Sequence, residues 1–140
     1  MINKNKNKNI AFIFARGGSK GLSKKNIKDF HGKPLIAWSI INALQSESID
    51  SVWVSSDSNS ILEIASKYGA KTIQRPDNLS DDMASSESAW LHALNIIDSE
   101  EYPVKFVVGM QATSPIRGKN DLHEALEEVK LNNYDSLLSV

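Results

Sequence analysis

Two hydrophobic rhythms take turns along this chain. Short runs rich in apolar and β-branched residues occur at 10–14 (IAFIF), 51–55 (SVWVS), 71–74 (KTIQ), 105–110 (KFVVGM) and 136–140 (SLLSV). Each is short enough to be a strand, and the most apolar read as buried ones. Between them, apolar residues recur three and four apart, the period of a helix with one buried face. From Pro34, whose fixed φ suits a first helical turn, Ile36, Ile40, Ala43 and Leu44 line such a face. Ile61, Ile64, Ala65 and Tyr68 line a second, which a capping-box pair, Ser60 and Glu63, starts and Gly69 stops. Trp90, Ala93, Leu94 and Ile97 mark a third helix beginning after Asp82. Asp121 and Glu124 open a fourth, with Leu122, Ala125, Leu126 and Val129 on its buried face.

Strand and helix therefore alternate, which predicts the α/β class: a three-layer Rossmann-like arrangement, mostly parallel sheet, helices on both faces. Residues 1–9 form a low-complexity Asn/Lys tail, expected to be disordered, and residues 10–140 one domain. The pattern stops inside a fifth strand with no polar cap, which predicts a chain truncated at its C-terminus. Open parallel sheets bind ligands beyond the carboxyl ends of their strands, at the switch point in strand order. The segments to inspect are then 15–33, 56–59, 75–82 and 111–119.

Composition narrows the chemistry. The 140 residues include no cysteine, which excludes disulfides, thiolate metal sites and a cysteine nucleophile. No apolar run has the length of a membrane span, and the first nine residues lack the apolar core of a secretion signal. The expectation is a soluble, cytoplasmic protein without a membrane partner. A net charge of -1 argues against a nucleic-acid partner. Residues 1–29, however, carry eight Lys and Arg against Asp29, a net +7, so the remainder sums to -8. Such an asymmetry suggests a local anion site.

The basic charge falls largely in the longest connection. Residues 15–33 read ARGGSKGLSKKNIKDFHGK and show no helical or strand pattern. Connections in α/β units usually run to about 2–6 residues, and longer ones tend to be functional or disordered. Gly17, Gly18 and Gly21 allow positive φ and close approach of the backbone to a ligand. Successive N–H groups there can form an anion-binding nest. Arg16 offers a planar fork for phosphate, and Lys20 and Lys25 offer mobile charges. Neither the dinucleotide fingerprint nor the P-loop pattern fits the glycine spacing.

The run from Ala15 to Leu22, followed by Lys25 and Asn26, resembles the N-terminal signature of the CMP-N-acetylneuraminic acid synthetases (N-acylneuraminate cytidylyltransferases). The likeness continues through HGKPLIAWSI, VWVSSD, Arg75-Pro76, the segment with Asp82, Ala84, Ser85 and Ser86, and QATSPIR at 111–117. It implies the nucleotide-diphospho-sugar transferase fold. It also implies transfer of CMP from CTP to the anomeric hydroxyl of a nine-carbon 2-keto sugar acid, with release of pyrophosphate. Sialic acid and related nonulosonic acids are the substrate class so implied. Mg²⁺ is the implied cofactor, with its principal ligands expected beyond residue 140. A homodimer built through a later insertion is also implied.

The resemblance assigns residues as well. Arg16 and Lys25 become catalytic candidates that contact the triphosphate. Ala15, Gly17, Ser19, Asn26, Arg75 and Ser86 join them as nucleotide-binding candidates, and Gln111 and Thr113 as sugar-binding ones. Without the resemblance, Arg75 reads as a surface side chain beside Asp77, and Ser85 and Ser86 as ordinary first-turn residues. Asp57 then reads as a helix cap, and Gln111 as a residue closing a strand. If the strand order is 3-2-1-4, Gln111 faces the Arg16 segment across the switch-point crevice. Arg117 could be a second fork or a surface partner of Asp121. His31, His92 and His123 lack metal-ligand spacing, and Trp38, Trp53 and Trp90 suit buried or half-buried positions. Three functions compete: the cytidylyltransferase, another nucleotidyltransferase of similar fold, and a non-catalytic nucleotide-binding module.

Overall fold

The computed structural model describes residues 8–15, 27–76, 86–99, 102–111 and 121–132. The first apolar run becomes β1 (Lys8–Phe14), in which Ile10, Ala11, Phe12 and Ile13 are all fully buried. A strand buried on both faces needs a layer on each side. It also needs a strand on each edge, and β1 pairs in parallel with β4 (Ser51–Ser56) and with β6 (Val104–Gln111). β5 (Lys71–Gln74) adds to β4, again in parallel, giving the order β5-β4-β1-β6. In chain order of the strands foreseen from sequence this is 3-2-1-4.

Side chains alternate across the sheet and build two cores. Ala11, Ile13, Val52, Val54 and Met110 point to one face and pack with Ile36, Ile40 and Ala43 of α1 (Leu35–Leu44) and Ile61 and Ala65 of α2 (Asn59–Lys67). Ile10, Phe12 and Ile73 point to the other face and pack with Ala93 and Ile97 of α3 (Ser86–Ile97). The three layers and the parallel pairing agree with the reading from sequence. α4 (Asp121–Asn132) buries Leu126 and meets the α1–β4 turn through Ser48 Oγ and His123 Nδ1. The fifth strand expected at 136–140 lies outside the described residues.

Several local expectations are corrected. β1 starts at Lys8, so Lys8 and Asn9 belong to the sheet and not to a frayed tail. The Lys8 N–H donates to Pro103 O at 2.7 Å, the Asp50 N–H donates to Asn9 O, and the Asn9 N–H donates to the Asp50 carboxylate. Leu44 is 47% exposed. It is the last helical residue and lies beside Gly69 at the end of α2. The segment 15–33 contains a small antiparallel hairpin, β2 (Asp29–Phe30) with β3 (Lys33–Pro34). Its two central residues, His31 and Gly32, have φ of 50° and 90°, the signs a type I′ turn requires.

α2 is capped by Ser58 and not by Ser60 or Asp57. The helix begins at Asn59, so the Ser58 hydroxyl is the group in reach of the Ile61 N–H, at 3.4 Å. The Ser58 N–H in turn donates to Ser56 Oγ at 3.0 Å. At the other end Gly69 stops α2 as expected. Its φ of 99° lets its N–H reach Ser66 O and the Ala70 N–H reach Ala65 O, a Schellman motif.

Two measurements check this account. Ser58→Ala is expected to cost about 1 kcal/mol in chemical denaturation. Ser60→Ala, which the capping-box pattern would have made the damaging change, is expected to cost less than half as much. Gly69→Ala is expected to cost about 1–2 kcal/mol, from the left-handed conformation alone. A new Cβ there would also sit 3.2 Å from Leu44 Cδ1. An unchanged thermal midpoint for Gly69→Ala would contradict the motif.

Candidate active site

The carboxyl ends of the four parallel strands form one edge, and their register decides what meets there. Phe14 is the Cα partner of Ser55 on one side and of Gln111 on the other. Ser56 is the partner of Gln74. The ladder continues one step further on each strand: the Ala15 N–H donates to Ser55 O at 3.1 Å, and the Arg75 N–H donates to Ser56 O at 2.8 Å. Ala15, Arg75 and Gln111 therefore stand at one edge of one sheet. With strands about 4.8 Å apart, the ends of β6 and β5 lie roughly 14 Å from each other. The chain runs from β1 to β4 to β5 in one direction and then crosses back to β6. The switch point is thus between β1 and β6.

α3 brings a helix N-terminus to the same edge. Its C-terminal end sits at the opposite edge, where the Asp98 carboxylate accepts from the Val104 N–H at 3.0 Å. A helix of 12 residues spans about 18 Å, close to the depth of a sheet. Its first residue, Ser86, then lies at the carboxyl edge, and the positive end of a helix dipole favours an anion.

The structure changes the reading of two candidates. Arg75 is 4% exposed, so it is not the surface side chain that its neighbour Asp77 suggested. A guanidinium is kept inside a protein only where acceptors or anions satisfy it. The extended conformation that Pro76 imposes on it, together with its bond to Ser56 O, turns it inward at the end of β5. Ala15 is 3% exposed and belongs to the α1/α2 core cluster, and its N–H is used within the sheet. Gln111 is the last residue of β6, one place earlier than expected, and keeps its place opposite the end of β1.

Arg16, Gly17, Ser19, Lys25, Asn26 and Thr113 lie outside the described residues. Two features of this edge escaped the sequence reading. Ser55 and Ser56 are both fully buried beneath it. Ser56 Oγ holds the β4–α2 turn, a role signalled only by two hydroxyl residues closing an apolar strand. The second feature is the β2–β3 hairpin, which fixes the chain just after the Gly- and Lys-rich segment. Among the described residues no group of three or more His, Asp or Glu is placed to hold a metal ion. None of the described helices is long and apolar enough to cross a membrane.

Comparison with known proteins bears on this edge. Residues 10–139 match the family described as Cytidylyltransferase. The chain is 49% identical over 133 residues to the pseudaminic acid cytidylyltransferase of Campylobacter jejuni subsp. jejuni serotype O:23/36 (strain 81-176), covering 94% of this chain and 57% of that protein. It is 41% identical over 130 residues to N-acylneuraminate cytidylyltransferase A of Danio rerio, covering 93% of this chain and 29% of that one. The chain thus spans little more than half the length of the first relative and under a third of the second. Among solved structures, CMP:2-keto-3-deoxy-manno-octonic acid synthetase complexed with CTP superposes with a TM-score of 0.77 at 23% identity, covering 90% of this chain and 48% of that one. At that identity the likeness bears on the fold.

Proposed function

The chain belongs to the cytidylyltransferase family, and we propose that it forms the nucleotide-binding part of an enzyme that transfers CMP from CTP to a nonulosonic acid. One observation carries the reading. Phe14 and Gln111 are register partners at the switch point. The root of the Gly- and Lys-rich segment and the root of the QATSPIR segment therefore open onto one crevice. The first would serve the phosphates and the second the sugar acid.

In the proposed reaction the anomeric hydroxyl oxygen of the sugar acid attacks the α-phosphorus of CTP. The new O–P bond forms as the bond from the α-phosphorus to the bridging oxygen breaks. Pyrophosphate leaves, and the hydroxyl proton is lost. Such a displacement needs positioning and charge stabilisation more than covalent help. Arg16 and Lys25 supply charge to the triphosphate. Ala15, Gly17, Ser19 and Asn26 hold the nucleotide by backbone and short polar groups. Arg75 and the first turn of α3 at Ser86 close the nucleotide side, and Gln111 and Thr113 the sugar side. Magnesium is the proposed cofactor, and bound to a triphosphate it would offset phosphate charge. The described residues form no cluster to hold it, and no step here is assigned to it. A homodimer working in the cytoplasm completes the proposal.

The acceptor to try first is pseudaminic acid, because identity to the pseudaminic acid relative is 49% against 41% for the N-acylneuraminate one. Incubation with CTP and a panel of pseudaminic, legionaminic and sialic acids, read by mass spectrometry, should yield one CMP-sugar and pyrophosphate. CTP binding with no product from any acceptor would support the non-catalytic module instead.

Lys25→Ala is expected to reduce pyrophosphate release by more than a hundredfold with an unchanged circular dichroism spectrum. Near-normal release would remove Lys25 from the mechanism. Arg16→Ala is expected to weaken CTP by about tenfold or more and the sugar acid much less. Equal weakening of both would contradict its assignment to the triphosphate.

A further inference from the structure

The β2–β3 hairpin is too small to hold itself. Two residue pairs form the ladder, Asp29 with Pro34 and Phe30 with Lys33. Isolated two-stranded hairpins are marginal at best even when longer. The turn is also strained, because His31 adopts a positive φ that non-glycine residues rarely take. Its persistence must come from outside the ladder.

Those outside contacts converge on one side chain of α1. The Trp38 indole N–H donates to Phe30 O at 2.6 Å. The Lys33 ammonium sits 4.7 Å from the centre of the same indole ring. One turn earlier, the Leu35 N–H donates to Lys28 O at 2.9 Å. Within the hairpin Phe30 meets His31 edge to face at 4.4 Å. Trp38 therefore grips one strand by its N–H and the other by its ring.

The grip fixes where the segment 16–26 re-enters the fold. Ile27 follows it directly and packs against the α1/α2 core cluster. Ala15 precedes it and is buried in that same cluster, with its N–H held by Ser55 O. Both ends of an eleven-residue segment are thus anchored on one core.

We infer that Trp38 is a positioning residue. By clamping the hairpin it fixes the chain that directly follows the segment read as triphosphate-binding, and so favours CTP binding. The inference rests on the reading of residues 16–26 given under Proposed function.

Titration calorimetry with CTP on wild type and Trp38→Phe tests it. Phenylalanine keeps a ring for Lys33 and removes the indole N–H that Phe30 O accepts from. The expected result is a roughly tenfold rise in the CTP dissociation constant with binding stoichiometry retained. A purely structural role would lower the stoichiometry or the thermal midpoint and leave the dissociation constant unchanged, and that result overturns the clamp. Lys33→Met, which keeps the indole N–H, is expected to weaken CTP by about two- to threefold. If Trp38→Phe does not fold, Lys33→Met carries the test alone, and a wild-type dissociation constant then overturns the proposal. CTP binding by the wild type that both variants preserve removes the clamp and leaves the enzymatic reading intact. A wild type that does not bind CTP removes both.

Discussion

Four consecutive side chains of β1, Ile10 to Ile13, are sealed from solvent. Burial of successive residues is possible in a strand only if both faces of the sheet are covered, because neighbours point opposite ways. That requirement places α1 and α2 on one side and α3 on the other. It also makes β1 an interior strand, flanked in parallel by β4 and β6. Parallel strands aim their carboxyl ends at the same edge. The chain leaves β1 toward β4 on one side and comes back to β6 on the other, so a crevice opens where β1 ends.

The two edges of the sheet are finished differently. At the amino edge polar side chains tie neighbouring elements together. Asn9 bonds to Asp50 and to Ser48 O, and Ser51 Oγ links the Tyr102 hydroxyl with the Trp53 indole. The Lys71 ammonium lies over Trp53 and Tyr102. These groups are occupied with one another. At the carboxyl edge a guanidinium at Arg75 and two hydroxyls at Ser55 and Ser56 are buried, Ser56 Oγ accepting from the Ser58 N–H, and α3 begins at Ser86.

Much of this was legible before any coordinates, and the reasons are physical. Apolar runs and helical spacing located the four strands of the main sheet and the four helices, because burial imposes those rhythms. Gly69 was legible as a helix stop, since few other residues accept its φ. The β2–β3 hairpin was not, because two-residue strands have no rhythm and its turn opens with a histidine. Ser60 imitated a cap because Glu63 stands at the right distance, while the helix start was set by the turn that Ser56 holds. Leu44 fitted the buried stripe by spacing, but as the last residue of its helix it is nearly half exposed. For the site, motif order pointed to Ala15, Arg75, Ser86 and Gln111, and strand register explains how they share an edge. That Arg75 is buried could not be read locally, since its covering comes from elements distant in sequence.

β1 also gives alternate side chains to two separate cores: Ala11 and Ile13 to one, Ile10 and Phe12 to the other. Neither layer can peel away without exposing the strand on which its opposite number rests. Loss of one core therefore brings down the other, and the described sheet and its layers should melt as a single cooperative unit.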